Sequence, residues 1–460
     1  MVTNRDFEFF HDLLSCADDC FNRLLLPATE STVLQQLKET ADDEAIGVFG
    51  KNLEQLLMAS PAGPRVTIGI DPGFRTGCKV AVIDATGKFL ANANIYPTAP
   101  KNDVKGAGDL LLKLIKSHSA ELIAIGNGTA SRETDAFVAK LIKDNKLNIT
   151  SVIVSESGAS IYSASDIAVK EFPELDITVR GAISIARRLQ DPLAELVKSD
   201  PKSIGVGQYQ HDVNQVKLKK CLDRIVESCV NNVGVDLNIA SAPLLSYVAG
   251  IGPKLAESIV NYRNDNGRFN QRSELKSVAK LGKKSFEQAA GFLRIQDGDQ
   301  PLDNSAVHPE SYPVARKMAK RLKTDLKTLV GNTSLSEQLI ATDYVDDRFG
   351  EPTVKDIIAE LAKPGRDPRA EFKAVKFNDQ VNKVSDLKPN MVLEGVITNV
   401  THFGAFIDIG VHQDALIHIS QLADQFVSDP NEFVCVGDVT KVKILEVDAS
   451  GKRISATRKF

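Results

Sequence analysis

Apolar residues recur at three- and four-residue intervals through LLSCADDCFNRLL and TVLQQLKETADDEAIGVFGKNLEQLLMA, which predicts helices over residues 1–60 with a break at Pro27. After Ser60-Pro61-Ala62-Gly63-Pro64, a linker by composition, the period changes. Residues 66–70 read as a buried strand, and 79–84, a turn at Thr86-Gly87 and 89–96 complete an antiparallel three-strand meander. A helix over 110–116, a strand over 122–125, a helix over 133–143 and a strand over 151–154 follow, so 65–190 is expected to be an α/β unit with a mixed sheet. The pattern is then helical to about residue 296 with glycines at short interruptions, giving a helical domain over 191–298. Residues 299–385 carry helices between the breaks His308-Pro309 and Pro364-Gly365-Arg366-Asp367-Pro368 and read as a connector. From Val392 short strands alternate with turns, so 386–460 is expected to be a small β-barrel.

A chain of 460 residues suits several domains, and 43% hydrophobic with 25% charged residues is a globular composition able to bury cores. No window approaches the ~18 consecutive apolar residues of a membrane span. The start, MVTNRDFEFFHDLL, lacks the basic-then-apolar order of a secretory signal, so the expected compartment is the cytoplasm and no membrane partner is expected. Cys16, Cys20, Cys78, Cys221, Cys229 and Cys435 form no CxxC pair, and the histidines show no metal-ligand spacing. The net charge of −4 means that any basic footprint must be local.

Two acids stand at predicted strand ends. Asp71 ends the first strand, where Asp71-Pro72-Gly73-Phe74-Arg75-Thr76-Gly77 turns the chain into the second, and Glu156 follows the fifth strand in Ser155-Glu156-Ser157-Gly158. The two could meet if those strands lie close. Equally weighted is the plain reading, in which Asp71 caps the Gly73 or Phe74 amides and Glu156 is a surface acid before a helix.

The runs GIDPGFRTG, IGNGTASRETD, VSESGAS and VRGAISIARRLQDPLAELVKSDPKSIGVGQYQHDV closely resemble the YqgF-like, RNase H-type domain of the bacterial Tex family of transcription accessory proteins. In related Holliday-junction resolvases this fold implies two-metal phosphodiester cleavage, with carboxylates holding both ions. Two such ions ~3.5 to 4 Å apart need several carboxylates to offset their repulsion. Only Asp71 and Glu156 offer themselves: the fourth strand ends in Gly126-Asn127-Gly128, the following helix brings Arg180, Arg187 and Arg188 where active enzymes place an acid, and Asp191 lies at its far end. The expectation is a vestigial site without catalysis or cofactor. The alternative is a Mg²⁺-dependent, structure-selective nuclease using Asp71 and Glu156.

Gly250-Ile251-Gly252-Pro253-Lys254 sits between two short helical segments. The glycines permit left-handed backbone and close approach, so amides opening the next helix can meet a phosphate oxygen while Lys254 adds charge. This resembles a helix-hairpin-helix motif, which holds nucleic-acid backbone without reading bases. A dinucleotide site fails on context, since no strand precedes these glycines and the third is absent. A second copy follows at Leu281-Gly282-Lys283-Lys284. From residue 247 to 294 the bases Lys254, Arg263, Arg268, Arg272, Lys276, Lys280, Lys283, Lys284 and Arg294 face the acids Glu257, Asp265, Glu274 and Glu287, nine against four. That local excess is the expected nucleic-acid footprint.

In the C-terminal barrel, a period of two sends Ala405, Ile407 and Ile409 inward and Phe406 and Asp408 outward, with Ile417 and Ile419 inward and His418 outward. An exposed Phe beside an exposed His suits base stacking. THFGAFIDIG, DALIHIS and VGDVTKVKILEVD resemble the OB-fold RNA-binding domain named after ribosomal protein S-one, which also ends Tex-family chains. Phe403, Phe406 and His418 match its binding face, and Lys441, Lys443 and Arg453 are its expected phosphate contacts. A bland alternative lets Phe403 close the barrel end. From 389 to 460 nine acids face six bases, so stacking rather than bulk charge must carry this contact.

The fold class expected is therefore multidomain: an RNase H-like mixed sheet, a helix-hairpin-helix bundle and an OB-fold. The resemblance implies a transcription accessory protein binding RNA, and single-stranded or duplex DNA, largely without sequence specificity. Hairpins and barrel are expected to clamp one polynucleotide on one continuous surface. Docking to RNA polymerase or the ribosome through the connector is a further reading. Tex-like chains begin with a longer helical region containing a helix-turn-helix-like element, and residues 1–60 read as a remnant of it.

Overall fold

A computed structural model describes residues 8–207, 209–365, 367–372, 384–411, 413–435, 438–448 and 453–460. Arg366 and residues 373–383 of the expected connector, and Lys452 of the barrel's charge count, lie outside the described residues.

The N-terminal helices form a rod: α1 (Phe10–Asp19), a π-helical turn Cys20–Leu25 and α2 (Leu26–Leu57). Pro27 does not break it, contrary to the expectation. It falls in the first turn of α2, and the wide turn before it, with Leu26 N–H donating to Phe21 O, absorbs the donor that proline lacks. Ile46, Phe49, Leu53 and Leu57 are buried in the core of the helical domain, so α2 belongs to that domain rather than to a separate remnant.

The α/β unit contains β1 (Thr67–Asp71), β2 (Cys78–Ile83), β3 (Phe89–Ile95), β4 (Leu122–Gly126) and β5 (Thr150–Val154) in the order β3-β2-β1-β4-β5. β1 pairs antiparallel with β2 and parallel with β4, and β5 is parallel to β4. Around the sheet lie α3 (Val104–His118), α4 (Ser131–Asp144), α5 (Ala159–Ala164), α6 (Asp166–Glu171) and α7 (Ile177–Gln190). α7 crosses β1 so closely that a Cβ on Gly69 would stand 2.0 Å from Ala182 O, which is why this strand position is glycine. Glu171 is held between Arg187 at 2.8 Å and Lys198 at 3.0 Å. Burial works to raise its pKa, but the two cations outweigh burial and hold it at about 2.

α8 (Pro192–Leu196), α9 (Gln215–Val233), α10 (Ala242–Ser246), α11 (Pro253–Asn266) and α12 (Lys283–Ala289) share one core with α2. The two-residue strands β6 (Val235–Asp236) and β7 (Leu293–Arg294) pair in parallel and close the hairpin region at its ends. α13 (Tyr312–Arg321), α14 (Leu326–Leu329), α15 (Thr333–Ser336) and α16 (Glu351–Ala362) follow. They enclose their own core of Leu302, Val314, Met318, Leu329, Val354 and Leu361, so the expected connector is a folded unit. Arg272, 1% exposed, joins it to the hairpins by donating to Val307 O at 2.8 Å, while its own N–H donates to Asp303 Oδ2 at 2.7 Å.

The barrel is closed, with β8 (Val392–Thr401), β9 (Gly404–Asp408), β10 (Ala415–His418), β11 (Val439–Val447) and β12 (Ile454–Thr457) in the order β10-β12-β11-β8-β9. Its core is drawn from its own residues. Polar contacts seat it: Lys51 to Asp429 at 3.0 Å, Asn52 Nδ2 to Asn399 Oδ1 at 3.4 Å, and Arg132 donating to Val411 O. Among the described residues no helix is long and apolar enough to cross a membrane.

Candidate nucleic-acid interface

Asp71 and Glu156 do come together, because the parallel order β1-β4-β5 brings both strand ends to one edge. Glu156 folds over the β4 turn: a Cβ on Gly128 would lie 1.9 Å from its Oε1, and one on Gly126 2.7 Å from its Oε2. Its backbone N–H donates to Asn127 Oδ1 at 3.0 Å, so it is not a plain surface acid. Burial, then the neighbouring Glu156 charge, push the Asp71 pKa up to about 6 against the pull of Lys79. The residue of α7 that faces Asp71 is Gly181, whose added Cβ would stand 3.2 Å from Asp71 Oδ2. This corrects the placing of Arg180, Arg187 and Arg188 there. Arg180 donates to Phe172 O, Arg187 to Gly87 O and Arg188 to Ser155 and Ser157 O, so all three brace the fold. Asp191, at the far end, is gripped by Arg369 at 2.7 Å. Among the described residues no group of three or more His, Cys, Asp or Glu is arranged to hold a metal ion. Asp71 and Glu156 thus stand as two carboxylates at one sheet edge, with a glycine rather than a third acid facing Asp71 from α7.

Both hairpins form, and they are built alike. Gly250 has φ +81°, Ile251 is buried, and Gly252 opens α11; in the second copy Lys280 takes the left-handed position at φ +68°, Leu281 is buried, and Gly282 opens α12. Neither helix has a side-chain cap, and an added Cβ on Gly252 or Gly282 would meet nothing within 4 Å, so both openings are accessible. Gly250 packs against α12, with an added Cβ 2.8 Å from that of Gln288, which joins the two hairpins. The basic footprint is smaller than the sequence count. Arg263 donates to Leu237 O and Ala240 O, Arg268 to Gln296 O, Arg272 is buried, and the Arg294 guanidinium packs where a Gly234 Cβ would stand. Five lysines, Lys254, Lys276, Lys280, Lys283 and Lys284, remain on the surface against the same four acids. A groove of about 540 Å³ beside the first hairpin is lined by Lys219 but also by Asp223 and Glu227 of α9, so positive charge concentrates at the second hairpin.

The barrel alternation is as expected at its centre. Ala405, Ile407, Ile409 and Ile417 are buried, Phe406 is half-buried, and His418 is exposed; Ile419, expected inward, is only half-buried because the chain leaves β10 there in a short 3₁₀ turn. Phe403 is 38% exposed, so it does not close the barrel end. Its ring stands edge-on to Phe406, centroids 6.1 Å apart. Gly404 keeps the pair close to His418, since a Cβ there would lie 3.0 Å from His418 Cα. Lys441 is turned toward Glu394 at 3.8 Å, and Arg453 is exposed. The pairs Lys443–Thr457 and Ile417–Ala456 place Lys443 two strands from His418, about 10 Å away at the usual strand spacing. Sequence reading missed Phe426, 91% exposed in the irregular segment between β10 and β11, where no strand period could signal it.

Cys221 of α9 packs at α2, its Sγ 3.2 Å from a Cβ on Gly50, whereas Asn52 meets the barrel and Asp223 lines the hairpin groove. Residues two apart on a helix point roughly 200° apart. α2 therefore meets Cys221 of α9 and the barrel's Asn399 on different faces, and α9 turns Asp223 away from α2.

These features define a class, that of multidomain chains joining an RNase H-like sheet, helix-hairpin-helix units and an OB-type barrel. Family models match accordingly: Tex protein YqgF-like domain over 65–190, Helix-hairpin-helix motif over 230–294, HHH domain over 300–369 and S1 RNA binding domain over 386–459. The chain is 56% identical to Protein tex of Bordetella pertussis over 95% of its own length and 55% of that protein's. To Protein YhgF of Escherichia coli it is 57% identical, covering 94% and 56% of the two chains. To the human S1 RNA-binding domain-containing protein 1 it is 35% identical, covering 97% and 51%. The chain belongs to the Tex family, and it spans about half the length of these curated relatives. The match over 300–369 describes the unit read from sequence as a connector; the glycine turn at Gly331, φ +86°, between α14 and α15 was the available signal.

Proposed function

We propose that this chain is a nucleic-acid-binding transcription accessory protein whose barrel holds single-stranded RNA by stacking, without catalysis at Asp71 and Glu156. The observation that carries this reading is the cluster of exposed Phe403 and His418 with half-buried Phe406 on a closed barrel. Two rings at right angles offer faces to successive bases, and every base has a face to give, so binding follows without sequence choice. Lys443 and Arg453 supply cations for the backbone, while nine acids against six bases keep the bulk field from doing so. The open turns at Gly252 and Gly282 with Lys280, Lys283 and Lys284 suit phosphates of a second stretch of nucleic acid, duplex DNA included.

The test is fluorescence anisotropy with a labelled single-stranded RNA. Phe403→Ala and Phe406→Ala are each expected to weaken binding at least about fivefold, the lower end of one lost stack. Equal affinity of both variants and the parent would overturn the reading. The nuclease alternative draws on the closeness of Asp71 and Glu156; incubation of branched and duplex substrates with Mg²⁺ or Mn²⁺ is expected to leave them intact, and cleavage abolished by Asp71→Asn would establish the enzyme. Docking to RNA polymerase or the ribosome through the unit at 300–369 would appear as a pull-down insensitive to nuclease.

A further inference from the structure

Residues 209–213, within the run IGVGQYQHDV that carries part of the resemblance, contribute nothing to the sites above, yet the backbone at Tyr209 is held in an uncommon way. Tyr209 has φ +61°, a left-handed conformation unusual for an aromatic residue, and its side chain is 70% exposed. The surroundings fix it there. Gln210 is buried, accepting from Val206 N–H at 3.2 Å and donating to Lys202 O at 2.6 Å. Gln215 Nε2 donates to Gln210 O at 3.0 Å and Val213 O at 2.9 Å, and Asp212 N–H donates to Tyr209 O at 2.9 Å. A strained backbone persists only where neighbours over-determine it, and here the result is an aromatic ring presented to solvent on a hydrogen-bonded turn.

That turn is tied to the barrel through one side chain. One amide, Asn52 Nδ2, donates both to Val206 O at 2.9 Å and to Asn399 Oδ1 at 3.4 Å. Asn399 is the β8 residue paired with Phe406, so the two side chains share the outer face of the barrel. Tyr209 follows three residues after Val206, no more than about 11 Å along the chain. His211 beside it is exposed, and Lys51, next to Asn52, has a half-exposed side chain.

We propose that Tyr209 is a further stacking position of the same single-strand site, taking a base of the polynucleotide as it leaves the barrel and crosses α2. The proposal rests on the barrel reading above and extends its site beyond the barrel. One OB fold engages ~4 to 16 nucleotides, so only a longer strand has length to spare for Tyr209, and a ring held in place stacks a base without the cost of ordering a flexible one.

The test measures anisotropy of the full chain with fluorescein-labelled oligouridine of six and of fifteen nucleotides. Tyr209→Ala is expected to weaken the fifteen-mer at least about fivefold and leave the six-mer unchanged, and Tyr209→Phe to bind like the parent. Tyr209→Gly relieves the left-handed strain, so it is expected to melt no lower than the parent while losing the same affinity. If Tyr209→Ala and Tyr209→Gly bind the fifteen-mer as the parent does while Phe406→Ala weakens both probes, the proposal falls and the barrel reading stands. If Phe406→Ala changes neither probe, the barrel reading falls and this one with it. A loss in Tyr209→Phe equal to that in Tyr209→Ala, or an equal loss on the six-mer, also overturns it.

Discussion

Asp71 shows how one residue's environment decides its chemistry. An unfolded aspartate releases its proton near pH ~3.9, whereas the native carboxyl keeps it until about 6, because burial and then Glu156 disfavour the charge. Between those values the native state binds more protons than the unfolded one, so stability falls as pH rises through this window. Asp71→Asn removes that cost. It is expected to raise stability by about 2 kcal/mol at pH 7, discounted for partial exposure, and to change nothing below the unfolded pKa. Thermal melts in EDTA from pH 3.5 to 8 check this; parallel curves for parent and variant would mean that Asp71 ionises normally. The acid at a strand end was legible in GIDPG, and so was the lack of a partner in Gly126-Asn127-Gly128. What faces Asp71 from α7 was not, because a difference of one residue, Gly181 against Arg180, is a rotation of about 100° that only helix packing sets.

At the scale of elements, the two hairpins repeat one backbone with different residues. The glycine pattern announced both turns, but a lysine at the left-handed position of the second copy could not be read from residue type, which argues against φ > 0 there. Nor could the charge count separate lysines from arginines spent on carbonyl groups: Arg263, Arg268 and Arg272 look identical in sequence to free cations and are tied down only in the fold. The prediction sharpens accordingly. Replacing Lys280, Lys283 and Lys284 together with Ala is expected to flatten the log Kd against log salt slope for duplex DNA by about two to three units. The same change is expected to leave the slope for short single-stranded RNA nearly unaltered, since the barrel holds that ligand by stacking. Equal flattening on both ligands would put the hairpins and barrel on one track.

For the whole molecule, the arrangement of units depends on a few buried polar ties. Arg369, its side chain 3% exposed, holds Asp191 with Nη1 at 2.7 Å and Nη2 at 3.2 Å while also gripping Asp367 at 2.7 Å, and so fastens the end of the 300–369 unit to the end of α7. Burial works against this charge, and its two carboxylates more than compensate, so the guanidinium stays charged. Arg369→Ala is expected to cost about 2 to 3 kcal/mol, more than a surface pair, by leaving two partly buried acids without their cation. Arg369→Lys is expected to recover only part of it, having no fork to match. Calorimetric melts of both variants check the order; equal stability to the parent would remove the latch. Neither Asp191 nor Arg369 carried any such signal in the sequence, being 178 residues apart. The hydrophobic period and the glycine and proline positions by themselves determined the order of units, the strand ends, the two hairpins and the outward rings of the barrel, because these follow from local geometry within one element. Tertiary structure alone decided which arginines are spent on carbonyl groups, that α2 joins the helical core, and that Gly181 confronts Asp71. Each of these turns on the direction a side chain takes once a helix is packed, and that direction is fixed by contacts with residues distant in sequence.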